Sequence, residues 1–336
     1  MSVILITGIN GFIGSNIAKR FISDGHKVRG LVRKTSDLSF IDGMNIELFY
    51  GDITSTDTLS VPVKGADIVI HAAGFASDWG SYEKFYRINV EGTQNIARAS
   101  CQGGVKRFVH ISTTAAYGFS GFQYMEESEP MADTIFAYCE TKKIAEKWLF
   151  ELAKSSEMEI VAIRPGNVFG PNDHTFIEKY ADALTAGKGG YIGGGRTWTA
   201  PTYVENLVDG IVLACFKKEA AGEAFFITDG LEIDWRTFTE KLCIELGIKP
   251  PILSIPFRVG YIIAYLMEII YKLFQIKKDP LLTRYRISNG GRDYHFSIKK
   301  AAVLLGYSPK VTLEDSVKRT AQWYKGSRGL RPLAGL

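Results

Sequence analysis

Short apolar runs and amphipathic segments alternate through the first half of the chain. Val3-Ile4-Leu5-Ile6 is an unbroken apolar run, the pattern of a strand buried on both faces. Behind it, Phe12, Ile13, Ile17 and Phe21 recur at helical spacing and predict a helix with one apolar face. Further strands are predicted over Lys27 to Val32, Ile46 to Tyr50, Asp67 to His71, Phe108 to Ser112, and Ile160 to Ile163. Helices are predicted over Val90 to Ala99 and over Tyr138 to Lys154, the latter carrying Ile144, Trp148 and Leu152 on one face. Such alternation is the pattern of βαβ units, so the expected class is α/β with a Rossmann-type, doubly wound parallel sheet. After about residue 170 the texture changes to a glycine-rich stretch with Trp198, Tyr203 and Trp235 nearby, and no internal repeat or linker is visible. One segment there stands apart. Phe257 to Ile276 is apolar nearly all round, which predicts a buried core helix or lid, with a membrane-surface element as the alternative.

The 336 residues are enough for one large domain, or one with a smaller partner. A net charge of +4, dispersed along the chain, lacks the clustered basic face that nucleic acid requires. Cys101, Cys139, Cys215 and Cys243 are spaced for neither a disulfide framework nor a metal, so a reduced, cytoplasmic protein without a metal is expected. The apolar run at the N-terminus is too short for a signal peptide. The longest apolar stretch, Val259 to Ile276, is interrupted by Glu268 and Lys272 and falls short of a membrane span. Arg328 and Arg331 are expected in a frayed tail.

The first chemical motif is Thr7-Gly8-Ile9-Asn10-Gly11-Phe12-Ile13-Gly14, directly after a strand and opening a helix. Glycines there allow a tight turn and close approach of a pyrophosphate to the backbone, and the helix N-terminus offers free N–H groups. The bland alternative is a plain strand–helix turn. A second motif is Tyr138-Cys139-Glu140-Thr141-Lys142. Residues four apart share a helix face, so tyrosine and lysine can point into one pocket. An ammonium nearby would lower the tyrosine from its usual pKa near 10, making it a usable proton donor or acceptor.

These motifs, with His71-Ala72-Ala73-Gly74, Asp52-Ile53, Asn89-Val90-Glu91-Gly92-Thr93 and Arg164-Pro165-Gly166-Asn167-Val168, resemble the extended short-chain dehydrogenase/reductases in order and spacing, to about residue 324. The resemblance implies a dinucleotide-binding domain over 1–170 with returning segments near 200–230, a mainly substrate-binding region over 171–324, and a tail over 325–336. It implies cofactor contacts from Gly8, Asn10, Gly11, Phe12, Ile13 and Gly14; from Asp52 and Ile53 at the adenine; from His71, Ala72, Ala73, Gly74 and Asn89; and from Ser112, Tyr138, Lys142, Pro165, Gly166, Asn167 and Val168. Tyr138 would transfer the proton and Lys142 would also hold the nicotinamide ribose. Counting back from Tyr117-Gly118 puts the family's hydroxyl on Thr113, with Ser112 and Thr114 as alternatives. The second strand ends in Arg33-Lys34 rather than an acid, which favours NADP(H), with NAD(H) as the alternative. A homodimer is implied by the same resemblance.

In the second half, Thr202 to Asn206, Ile255-Pro256-Phe257, Pro280 to Tyr285, and Lys299-Lys300 leading to Leu305 through Pro309 resemble the 3β-hydroxysteroid and sterol dehydrogenase-like and dihydroflavonol-reductase-like members. The implied activity is hydride transfer to or from a secondary alcohol or ketone of a sterol-, lipid- or flavonoid-like molecule. Phe75, Trp79, Thr114, Asn167, Trp198 and Tyr203 are candidates for the substrate pocket, and the aromatics among them could equally be core. The alternative is a nucleotide-sugar epimerase or dehydratase with retained NAD, for which Arg284, Arg286 and Arg292 are candidate diphosphate ligands. A non-catalytic nicotinamide sensor would have no need of an intact hydroxyl, tyrosine and lysine set.

Overall fold

The computed structural model describes residues 1–276 and 278–328. Seven strands make one parallel sheet: β1 (Val3–Thr7), β2 (Lys27–Val32), β3 (Ile46–Tyr50), β4 (Ile68–His71), β5 (Arg107–Ile111), β6 (Glu159–Pro165) and β7 (Ala224–Ile227). Their order is β7-β6-β5-β4-β1-β2-β3. The order reverses between β1 and β4, and in such sheets the crevice beyond the strand ends at that point is where ligands sit.

Both faces of the sheet are apolar because alternate residues serve different cores. Ile4 and Ile6 of β1 join one cluster with Ile17 and Phe21 of α1 (Phe12–Ser23). Leu5 between them joins the other cluster, with Ile96 of α2 (Gly92–Gln102) and Leu149 of α3 (Ala137–Ala153). The first face is completed by Leu207 and Ile211 of α4 (Val204–Phe216). A second body of structure packs Phe169 and Tyr203 against Phe238 of α5 (Trp235–Leu246). Three helices of the last third matter below: α6 (Phe257–Leu273), α7 (Arg284–Gly291) and α8 (Leu313–Ser327). The helix Lys299–Leu305 returns to the sheet, where Ala301 and Leu305 join the first core, so segments beyond 200–230 serve that domain.

Three expectations change. Before α2 the chain makes a π-helical turn over Tyr86–Glu91, which carries Asn89 into the interior. The tail expected from residue 325 is still helix to Ser327, and Arg328 is anchored to Glu178 and Asp182 at 3.1 and 2.7 Å. Residues 329–336, with Arg331, lie outside the described residues. The third concerns α6, which is not a core helix. Its buried residues are Gly260, Ala264 and Glu268, while Ile262 is 58% and Leu273 72% exposed. No described helix is long and apolar enough to cross a membrane.

Candidate active site

The end of β1 turns at Gly8, whose φ of +68° is left-handed and glycine-specific. A Cβ on Gly8 would lie 2.7 Å from the Ala73 nitrogen, and one on Gly14 would lie 2.1 Å from the Gly8 oxygen. Glycine is therefore required for β1, β4 and α1 to meet this closely. Gly11 caps α1 without any side-chain acceptor, and no acid lies in the first turn, so donors at this helix end are left for a ligand. Asn10 ties the turn to the loop beyond β2, its Nδ2 donating to the Asp37 carbonyl at 3.1 Å. The side chains of Phe12 and Ile13 pack into the two cores, which leaves their backbone as the chemical surface.

Around this turn lie the other predicted contacts. Arg33 and Lys34 are exposed just past β2 and enter no salt bridge among the described residues. The Asp52 carboxylate accepts from the Thr54 backbone and hydroxyl at 2.9 Å each, and Ile53 is wedged under Gly92. His71 is buried between Thr7 and Thr93, at 2.7 and 2.9 Å. Burial, with Lys142 nearby, pushes His71 down to about 3, so it is a neutral spacer. Ala72, Ala73 and Gly74 continue from it, with the Ala73 N–H donating to Thr7 Oγ1 at 3.3 Å. Asn89 is spent on protein. Its Oδ1 accepts from Phe75 N at 2.7 Å, and its Nδ2 donates to the Phe75 carbonyl and to Thr141 Oγ1. It therefore positions α3 against the loop after β4.

The hydroxyl run beyond β5 sorts itself by direction: Thr113 is extended and caps a 3₁₀ turn that Thr114 opens, over Thr114–Tyr117. Thr114 Oγ1 donates to the Pro165 carbonyl at 2.9 Å and meets Tyr294 Oη at 2.7 Å, so it is structural and unavailable to a substrate. Ser112 Oγ is buried with no partner among the described residues. Thr113 Oγ1 accepts from Ala115 N at 3.1 Å, which leaves its own proton free to be donated. That hydroxyl lies on the side of Tyr138, near enough to lower the tyrosine's pKa. Thr113 and Tyr138 thus approach each other, one from the end of β5 and one from the first turn of α3.

Lys142 behaves differently from the expectation. Its Nζ donates to the Ile111 carbonyl and to His110 Nε2, the latter at 3.2 Å, and it is not among the groups that shift Tyr138. Burial raises the tyrosine to about 12, against a lowering by Thr113, so it holds its proton at neutral pH. The same burial lowers Lys142 from 10.5 to about 7. Between those two values the unfolded chain binds the proton that the folded chain has released, so this lysine makes stability rise with pH from about 7 to 10.5. Urea unfolding of the wild type and of Lys142→Met across that interval should show the difference moving in favour of the wild type as pH rises. A flat difference would mean that folded Lys142 keeps its proton.

Aromatic rings cover the site. Phe85 and Tyr285 lie 6.5 Å from Tyr138 between ring centres, and Phe75 packs at a tilt on Phe85 at 4.7 Å. Trp79 packs edge-on against Tyr271 of α6. Asp78 between them accepts from Thr283 Oγ1 at 2.6 Å and pairs with Arg286 at 2.7 Å, latching the loop after β4 to α7. Asn167 is bound to Asn289 and Thr199, while the Gly166 N–H donates to Thr202 Oγ1 at 3.2 Å. Val168 bridges the two cores. Trp198 packs edge-on against Tyr124 and His295 at 5.6 and 5.1 Å. Tyr203 is fully buried against Phe169, so it is core and not pocket lining. A cleft of about 500 Å³ opens beside this cluster, walled by Phe119, Phe136, Phe257, Tyr261 and Arg292. Tyr138 is not in its wall, but Phe136 packs on Tyr285, which packs on Tyr138. Tyr285 and the Asp78 latch were missed as site residues because they join positions distant in sequence, for which no local pattern exists.

A buried unpartnered serine, a cradle that a Cβ would fill and an uncapped helix end fit a dinucleotide. Comparison with known proteins agrees. Residues 4–227 match the NAD dependent epimerase/dehydratase family. Among curated proteins, the 4-hydroxy-2-methyl-3-oxo-4-farnesyl-3,4-dihydroquinoline-1-oxide ketoreductase of Stigmatella aurantiaca is 29% identical over 97% of this chain and 98% of its own. The decarboxylating sterol-4-alpha-carboxylate 3-dehydrogenase of Mus musculus is 29% identical over 94% of this chain and 89% of its own. Among solved structures, that of gox2253 superposes with a TM-score of 0.83 at 28% identity, covering 99% of this chain and 100% of the other.

Proposed function

The chain belongs to the NAD dependent epimerase/dehydratase family, and we propose that it is an oxidoreductase moving hydride between a nicotinamide dinucleotide and the secondary alcohol or ketone of an apolar substrate. The observation that carries this reading is the placing of Thr113, its proton free, and of Tyr138 on the same side of the β5 end, with Tyr138 packed between aromatic rings. The dinucleotide would lie along the Gly8–Gly14 turn with Ser112 beside it, and when bound it supplies or accepts the hydride. A tyrosine that keeps its proton at neutral pH is a general acid, which suits reduction of a ketone. Thr113 donates its free proton to the same carbonyl oxygen and fixes its position. Lys142, one helical turn along, would turn from the Ile111 carbonyl and His110 to hold the ribose. The substrate class is supported by the ring-lined surroundings and by relatives named for a farnesylated ketone and a sterol.

Purified protein given NADPH and a panel of a 3-ketosteroid and long-chain 3-oxo acids should oxidise one NADPH per ketone consumed. Interconversion of a nucleotide sugar by tightly held NAD, with no net NADPH loss, would replace this reading with an epimerase.

Cofactor preference is proposed to be NADP(H), with Arg33 and Lys34 gripping the 2′-phosphate. Loss of one charge-assisted contact costs about 1.5–3 kcal/mol. Calorimetric titration of Arg33→Ala should therefore show NADPH binding weakened roughly 10- to 100-fold and NADH binding unchanged. Equal weakening of both would remove Arg33 from that role.

A further inference from the structure

We infer that α6 is a docking surface for an anionic lipid bilayer, on which the protein rests without crossing. The helix is inverted relative to a normal surface helix. Its inward stripe, at four-residue spacing, is Gly260, Ala264 and Glu268, and the acid is paired with Arg284 at 2.7 Å. Its outward side carries Val259, Ile262, Leu266, Ile269, Leu273 and Phe274, each exposed by more than two-fifths. Exposed Ile252 and Leu281 flank it in the segments leading in and out. An apolar face this long, contiguous and unpartnered marks an interaction site rather than ordinary surface.

Charge selects the occupant. The exposed charges on the helix are Arg258 at its start and Lys272 at its end, and its one acid is buried. Just beyond it the exposed Lys278 and Asp279 offset each other, so the balance rests on Arg258 and Lys272. A second copy of the chain packed through this face would oppose cation to cation: antiparallel pairing sets Arg258 against Lys272, and parallel pairing sets each against itself. An anionic lipid surface meets both ends with the opposite charge and takes the isoleucine and leucine side chains into the acyl boundary. Phe257 and Tyr261 of the same helix wall the cleft described above, so docking brings that cleft to the lipid. This last consequence, direct uptake of an apolar substrate from the bilayer, rests on the proposed function; docking itself does not.

Co-sedimentation with vesicles of phosphatidylcholine, with and without a quarter of phosphatidylglycerol, tests docking without any activity readout. Wild type should be retained by the anionic vesicles. The triple variant Ile262→Ser, Leu266→Ser, Ile269→Ser should bind at least about tenfold more weakly, with the melting temperature unchanged. Lys272→Glu, which leaves the apolar face intact, should lose about tenfold in retention by the anionic vesicles and little on phosphatidylcholine. No retention of wild type on either vesicle overturns the inference. Wild-type self-association in light scattering that the triple variant abolishes, without vesicle binding, also overturns it and assigns the face to a second copy. Vesicle binding without ketone reduction would leave docking intact and count only against the proposed function.

Discussion

Tyr138→Phe should turn over ketone about 10³-fold more slowly than wild type while binding NADPH with unchanged affinity. The change removes one oxygen from a half-buried ring and leaves its packing on Phe85 and Tyr285 in place. Thr113 then keeps only its bond from Ala115 and a free proton, so the substrate oxygen can still be bound but not protonated. The loss should fall on kcat more than on KM, because proton transfer belongs to the transition state alone. Stopped-flow single turnovers with saturating NADPH read it directly. Turnover at the wild-type rate would mean that another group, or water, delivers the proton.

The largest stability effect should come from Glu146→Ala. Glu146 on α3 and Arg164 on β6 are both buried: Arg164 Nε lies 3.1 and 3.2 Å from the two carboxylate oxygens, Nη2 donates to Glu146 Oε1 at 2.5 Å, and Nη1 donates to Tyr117 Oη at 2.6 Å. Removing the acid strands a buried cation, at a cost of about 3–5 kcal/mol. The pair joins the helix bearing Tyr138 and Lys142 to the sheet, so Glu146→Ala should lower the denaturation midpoint and loosen the site together. Glu146→Leu with Arg164→Met, which removes both charges, should recover much of the loss. A midpoint shift equivalent to less than about 1 kcal/mol for the single change would show the pair to be well hydrated.

Much of the first half could be read from the sequence because its elements are long enough to show a period. β1, β2 and β3 match their apolar runs, and α3 begins within one residue of the expected start. β7 had only the four residues Ala224–Ile227, too few for any period. The strand pair Asn167–Phe169 and Pro201–Tyr203 is shorter still, and its register is fixed by the chain around it. Periodicity placed Tyr138 and Lys142 on one face, yet it carries no information on where an ammonium finds acceptors. The answer, the Ile111 carbonyl and His110, lies on the neighbouring strand. Likewise three adjacent hydroxyls looked alike until Tyr294 and Pro165 claimed Thr114. For α6 the pattern said only that apolar residues surround the helix, which a buried helix and an exposed one share.

The contacts that finish the site all run between early and late chain: Thr114 to Tyr294, Asn167 to Asn289, and Asp78 to Thr283 and Arg286. The seven strands, by contrast, are complete at Ile227. During synthesis the seven strands can therefore pair while the last third of the polypeptide is unmade or still inside the ribosome, with Thr114 lacking Tyr294 and the loop after β4 left untied. A chain released before residue 283 has the crevice without Tyr285 over it and without the partners of Asp78, and its exposed rings are what a chaperone would have to hold.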